Sequence, residues 1–254
     1  MEEEQLKKEL AVSWDNGSEY YDTYISHGIK TDTEKQLWMK TFAECLPKEE
    51  HLNILDVGCG TGAMSLILAE SGHEVTGLDL SEGMMNVGRK KAAEQNLSVE
   101  FITGDAEYPP FEDETFDVVV NRHLLWTLMH PDTAVSNWYR VLKPGGMLIL
   151  IDGHWEMQDF FEKFMHSLSM RIAHIVEKHP HGHGTYSESL LASLPNRGGA
   201  PLDKVTEYFK TAGFLDVQSR NLNEIAEYQR SLQNWYQNLS PSRPYYLVSG
   251  VKKQ

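Results

Sequence analysis

Apolar residues recur along this chain in two rhythms. Leu37, Trp38, Phe42 and Leu46 fall at helical spacing and predict a helix over residues 33–46, which Pro47 ends. Residues 1–50 as a whole read as mostly helical. From residue 51 short unbroken apolar runs take over, as buried strands require. Strands are expected at 51–57, 74–78, 99–103, 116–120 and 147–151, and helices at 63–71, from Ser81 onward, and at 131–142. Ser81 suits a helix N-cap, and Lys143-Pro-Gly-Gly146 suits a turn. Strands that alternate with helices imply right-handed βαβ crossovers and a parallel, doubly wound α/β sheet. After Asp152 the rhythm breaks. Phe160, Phe161, Phe164, Leu168, Ile172 and Ile175 form a helix-like series, followed by a His/Gly-rich stretch. The alternation then resumes with a helix at 202–212 and strands at 215–219 and 245–251. The 154–200 block reads as an insertion over the carboxyl edge of the sheet, where such folds bind ligands.

Composition narrows the function classes. The chain has 254 residues, 41% of them hydrophobic and 24% charged, which is enough to bury a large core and excludes wholesale disorder. No apolar run approaches the roughly 18 residues of a membrane span. The first ten residues carry alternating charges rather than the apolar heart of a signal peptide. Cys45 and Cys59 have neither disulfide-framework nor zinc spacing, so a reducing, cytoplasmic setting is expected. The formal net charge is −14, and no basic run exceeds Arg89-Lys90-Lys91. A nucleic-acid or anionic-membrane partner is therefore disfavoured, and a neutral or cationic small molecule favoured.

Candidate chemistry gathers at successive strand ends. Asp56-Val-Gly58-Cys-Gly60-Thr-Gly62 leaves one strand and opens a helix. Glycines there let the backbone turn tightly and approach a ligand closely. Asp79 closes the next strand, where a carboxylate can take a ribose diol. Gly104-Asp105-Ala106 ends the third strand beside the same crevice. A dinucleotide fingerprint would space its third glycine one residue later, and no phosphate-loop Gly-Lys-Ser/Thr occurs.

These runs, with Phe111 to Val120 and Arg140-Val-Leu-Lys-Pro-Gly-Gly146, resemble the class I S-adenosylmethionine-dependent methyltransferases, most of all the small-molecule branch typified by ubiquinone and menaquinone biosynthesis. The resemblance is dense over residues 50–152 and thin outside them. It implies a Rossmann-like sheet of seven strands, mostly parallel with the last antiparallel, a helical amino-terminal lid and a helical insertion. The whole chain would be one domain: a lid at 1–50, a cofactor core at 51–152, a cover at 153–200 and completion of the sheet at 201–254. S-adenosylmethionine is the implied cofactor. Gly58, Cys59, Gly60 and Gly62 would line its methionine portion with Asp56 beneath, and Asp79 would hold the ribose. Leu80 or Met84 would pack on the adenine, Asp105 would accept from its amino group with Ala106 beside the ring, and Asn121 would lie near the methionine portion. Tyr21, in the lid segment, would contact the cofactor. The implied reaction is methyl transfer to a small-molecule acceptor by a monomer or homodimer.

A general base is needed only where the nucleophile bears a proton. His123, just past the fourth strand, and His154, past the fifth, are the candidates, with His27 behind them. Trp126, Trp155, Trp235 and Tyr236 are candidate pocket walls. His179, His181 and His183 could share a metal only on an extended segment, and Pro180 with its glycine neighbours favours a loop, so no metal is expected. A nicotinamide-dependent oxidoreductase, a non-catalytic binder of the same cofactor and a macromolecular acceptor remain as alternatives.

Overall fold

The computed structural model describes residues 2–157, 159–176, 186–242 and 245–254. Its frame is a seven-stranded sheet in the order β3-β2-β1-β4-β5-β7-β6. The strands are β1 (Asn53–Val57), β2 (Glu74–Asp79), β3 (Glu100–Thr103), β4 (Phe116–Arg122), β5 (Leu142–Gly153), β6 (Leu215–Asn221) and β7 (Tyr245–Val251). The first five run parallel, and β7 lies antiparallel to both β5 and β6. Because β1 has β2 on one side and β4 on the other, the chain winds away in both directions from that point. A crevice opens there above the carboxyl ends of the strands.

Alternation along the strands divides the core. Leu55, Val119, Leu148 and Leu150 face helices α5 (Pro131–Val141) and α8 (Leu202–Ala212), meeting Val135, Trp138, Val205 and Phe209. Ile54, Val118, Val120, Ile149 and Ile151 face the other way, onto Trp38 and Phe42 of α2 (Asp32–Cys45) and Met64 and Ile67 of α3 (Ala63–Glu70). These side chains are almost wholly buried, each contributing about 1.5–3 kcal/mol of transfer free energy. Trp138 also needs a partner for its indole N–H and donates it to the Ala106 carbonyl at 2.8 Å.

Helix α4 (Glu82–Glu94) starts as the sequence predicts, with Ser81 Oγ accepting from the Met84 N–H at 3.1 Å. Above it lies α1 (Glu2–Tyr21), whose Asp15 Oδ1 accepts from Ser81 Oγ at 2.6 Å and from the Gly83 N–H at 2.8 Å. A Cβ on Gly83 would come within 2.9 Å of that oxygen, so glycine there permits the approach of α1. Beyond β5 come α6 (Phe160–Val176) and α7 (Glu188–Ser193), in the segment expected to be an insertion. Leu190 and Leu194 pack with Leu10 of α1 and Met129, bringing α7 and the residue after it against α1. Helix α9 (Asn223–Ser231), between β6 and β7, is not foreseen by the periodicity because polar residues crowd its single buried stripe, Ile225 and Gln229. Among the described residues no helix is long and apolar enough to cross a membrane.

Candidate functional site

A cavity of about 950 Å³ fills the crevice, under α1 on one side and α6 and α9 on the other. At one end the backbone of the glycine turn forms its floor. Gly58, Gly60 and Gly62 have φ of +68°, +54° and +76°, a left-handed conformation that L side chains rarely adopt. Gly58 is also crowded, since a Cβ there would stand 2.6 Å from Leu124 Cδ1.

Asp79 stands at the neighbouring strand end. Its Oδ2 accepts from the Gly60 N–H and its Oδ1 from the Ser81 N–H, both at 2.8 Å. Burial pushes this carboxyl above its ordinary range against those backbone donors. Each oxygen keeps a lone pair for a further donor. Asp105, past β3, accepts from the Glu107 N–H at 2.9 Å and from Lys7 Nζ at 2.8 Å. Lys7 simultaneously reaches Glu107 Oε2 at 2.6 Å and Glu3 Oε1 at 2.9 Å, so α1 is fastened across this end of the cavity. Asp22 repeats the device below α1, accepting from Thr61 Oγ1 and Lys91 Nζ, each at 2.7 Å.

The cavity wall includes Tyr21, Gly58, Gly60, Asp79, Leu80, Met84, Asp105, Ala106 and His123 of the residues expected from the sequence. Asp56, Cys59, Gly62 and Asn121 lie outside the lining. Asp56 is buried beneath the turn and accepts from Ser65 Oγ, and burial lifts its carboxyl to about 6 despite that bond. Cys59 is packed against β2, where a Cβ on Gly77 would meet its Sγ at 2.8 Å. Burial raises its thiol well above the ordinary range, which keeps it protonated and a poor nucleophile. Asn121 is fully buried, and neither polar atom of its side chain has a partner among the described residues.

The two candidate bases part company. His123 lies in the wall, held at φ +58° by its N–H bond to the Ile151 carbonyl at 2.9 Å. Its ring packs on Trp155 and Tyr245, with centroids 4.8 and 4.9 Å away. Burial, reinforced by Arg122 and His27, holds this imidazole well below its usual pKa, so it is uncharged at neutral pH. His154 does not line the cavity; its backbone bridges to Gly199 and its Nε2 lies 3.6 Å from Glu156 Oε2. Tyr21 stacks on His27 at 4.3 Å, and burial pushes its hydroxyl up to about 12. Of the four aromatic candidates, Trp126 and Trp155 line the cavity, Trp235 is exposed, and Tyr236 is buried elsewhere. His179, His181 and His183 lie outside the described residues.

The sequence reading missed Lys7, Arg122 and Arg230 as cavity residues. Lys7 sits in a run of alternating charges that reads as a solvated helix face. Arg122 could have been found, being the residue between Asn121 and His123 at a strand end.

Residues 55–150 match the family model described as a methyltransferase domain. A demethylmenaquinone methyltransferase from Listeria welshimeri is 42% identical over 186 residues, covering 71% of this chain and 78% of the relative. The one from Clavibacter sepedonicus is 29% identical over 221 residues, covering 84% of this chain and 85% of that one. Among solved structures, the Haemonchus contortus phosphoethanolamine N-methyltransferase 2 in complex with S-adenosyl-L-methionine superposes with a TM-score of 0.64 at 22% identity. That match covers 94% of this chain and only 57% of the longer chain. A [4+2]-cyclase, SpnF, shares the fold with a TM-score of 0.55 at 21% identity, covering 86% of this chain and 80% of the other.

Proposed function

The chain belongs to the class I S-adenosylmethionine-dependent methyltransferases of the ubiquinone and menaquinone type, and we propose that its crevice seats the cofactor across the ends of β1, β2 and β3, with the acceptor under α6 and α9. The activity is transfer of a methyl group from S-adenosylmethionine to a small-molecule acceptor. The observation that carries the seating is the convergence of Gly60, Asp79 and Asp105 on one cavity wall, with both carboxylates keeping lone pairs for a ligand. The fit is supported at Gly58, where the space a Cβ would need is already taken by Leu124, so only bare backbone can face a ligand there.

Asp79 is assigned the ribose hydroxyls, through the lone pairs left by Gly60 and Ser81. Asp105 is assigned the adenine amino group, with Leu80, Met84 and Ala106 as the apolar walls of that end. Gly58 and Gly60 would border the methionine portion, with Cys59 and Gly62 shaping the turn and Asp56 bracing it from below through Ser65. Asn121 would stand behind the same portion, fully buried, with no partner for its amide among the described residues. Tyr21 and the rest of residues 1–50 act as the lid, and 153–200 as the cover of the acceptor half.

When bound, the cofactor supplies an electrophilic methyl group whose bond to sulfur breaks with the electron pair remaining on sulfur. The chain's task is then to align the acceptor, exclude water and dispose of any proton the acceptor releases. Holding two reactants aligned can supply on the order of 7–11 kcal/mol. His123, uncharged and in the wall, is the residue we assign to take that proton; His154 lies outside the wall. Trp14, Tyr24, Trp126, Trp155 and Tyr245 add an aromatic lining that suits a flat ring. The relatives named demethylmenaquinone methyltransferases lend weight to a hydroxylated ring as acceptor.

Titration calorimetry with S-adenosylmethionine, S-adenosylhomocysteine and NADH tests the seating, with binding of the first two and none of the third expected. Formation of S-adenosylhomocysteine with reduced demethylmenaquinone then tests the acceptor. Cofactor binding without turnover on that ring would reject the ring and leave the cofactor assignment standing.

A further inference from the structure

The charge of the cavity is divided. Its lining carboxylates, Asp79, Asp105 and Glu107, all lie at the end assigned to the cofactor, and Lys7 is tied to two of them. Past β1 in the sheet order, the end of β4, helix α9 and the segment before α8 line the cavity with Arg122, Arg230 and Arg197, and none of the lining carboxylates comes from those elements.

None of these three arginines has a carboxylate within ion-pair distance among the described residues. Arg140, Arg220 and Arg89, by contrast, pair with Asp113, Glu44 and Glu82. Arg122 donates to the Ser26 carbonyl, and its guanidinium stacks on the Trp38 ring, 5.0 Å from the centroid. Its Nε is buried without a partner among the described residues. Arg230 donates to the Ser240 carbonyl at 3.2 Å and the Asn238 carbonyl at 2.9 Å. Arg197 is exposed at the rim. The buried carboxylate of Glu34 accepts from Gln229 Nε2 at 2.6 Å and the Lys30 N–H at 2.8 Å and makes no ion pair with these arginines.

Backbone carbonyls and a ring face orient a guanidinium but leave its charge uncancelled, and an uncancelled charge withdrawn from water is costly. A planar fork held in place is also the geometry that binds an anionic oxygen group through two N–H donors. We propose that the acceptor presents an anionic oxygen, an ionised ring hydroxyl or an acidic substituent of the ring, to Arg122 at the end of β4 and Arg230 of α9. This rests on the cofactor seating proposed above. It reverses the expectation drawn from the net charge of −14, which favours a neutral or cationic acceptor. The overall charge sits on the surface, whereas the pocket sees its own wall.

The test uses the full chain saturated with S-adenosylhomocysteine, titrated with inorganic phosphate and with acetate at constant ionic strength. Arg122→Gln, Arg122→Lys and Arg230→Gln are run beside the wild type. The expected result is saturable anion binding in the wild type, weakened about tenfold or more in each Gln variant and partly kept in Arg122→Lys, with S-adenosylhomocysteine affinity unchanged. Absence of anion binding to the wild-type complex, or equal binding in the variants, overturns the proposal. Arg122 has one competing ligand, the cofactor's own carboxylate. If Arg122→Gln weakens S-adenosylhomocysteine but not 5′-methylthioadenosine, which lacks the amino-acid portion, Arg122 serves the cofactor and the proposal fails. Failure of the wild type to bind S-adenosylhomocysteine at all would instead reject the cofactor seating.

Discussion

The Gly60 N–H donates to Asp79 Oδ2 at 2.8 Å, so the carboxylate at the end of β2 fastens the glycine turn at the end of β1. The other oxygen, Oδ1, holds the Ser81 N–H and with it the start of α4. Asp79 therefore shapes the site as well as offering lone pairs to a ligand. Asp79→Ala is expected to weaken S-adenosylmethionine binding by roughly 1.5–3 kcal/mol. Asp79→Asn, which keeps one acceptor oxygen, should lose less. Calorimetry on both variants decides the matter, and equal affinities in all three proteins would remove Asp79 from the site.

Lys7 bridges Asp105 and Glu107 from the first turns of α1. Glu107 is 1% exposed, and its other oxygen accepts the Met129 and His130 N–H groups at 2.6 and 2.8 Å. Lys7→Met would leave that buried carboxylate with backbone donors only. A loss of about 1–3 kcal/mol in unfolding free energy is expected. Amide hydrogens of α1 should also exchange faster, because its tie across the cavity is gone. Unchanged stability together with unchanged exchange would mean that the bridge holds nothing.

Two glycines separate backbone strain from crowding. Gly72 has φ +95° with nothing within 4 Å of a Cβ, whereas Gly58 has φ +68° and Leu124 Cδ1 at 2.6 Å. Gly72→Ala should cost about 1–2 kcal/mol, the left-handed penalty alone. Gly58→Ala should cost that and roughly 1–3 kcal/mol more for displacing Leu124. Only Gly58→Ala should weaken S-adenosylmethionine binding. Equal melting shifts for the two variants would contradict the crowding at Gly58.

What could be seen in advance follows the range of the interactions. The glycine turn, Asp79 and the Ser81 cap were legible because each is fixed by its own strand end and by neighbours a few residues away. Strands β1 and β4 were legible because burial on both faces leaves short apolar runs, Ile54-Leu55 and Val118-Val119-Val120. The Lys7–Asp105 contact joins residues 98 positions apart, and no local pattern announces it. Helix α9, which brings Arg230 to the cavity, hides its apolar stripe among polar residues. His123 and His154 follow adjacent strands and look equivalent in sequence. The Ile151 carbonyl bond turns one into the cavity wall, and the Gly199 bridge holds the other outside it.

Asp152 gives the fold a pH dependence of definite sign. It is fully buried at the end of β5, where Oδ1 accepts the Gly153 N–H at 2.8 Å and Oδ2 has no partner among the described residues. Burial, opposed by N–H groups of Gly153 and Leu125, lifts this carboxyl to about 7 from 3.8. Between those values the folded chain binds a proton that the unfolded chain has released, so folding is favoured at the acid end. Stability then falls as pH rises through the window and levels off above it. The span for one such group is on the order of 2–4 kcal/mol. Asp56, raised to about 6 by burial, adds a slope of the same sign. Asp152→Asn keeps the Gly153 acceptor, loses the titration, and should therefore show a smaller stability difference between pH 5 and pH 8 than the wild type. Urea unfolding of both proteins at both pH values measures this. Equal pH 5 to pH 8 differences would show that Asp152 is ionised in the folded chain throughout, and that its unpartnered oxygen reaches water or a donor.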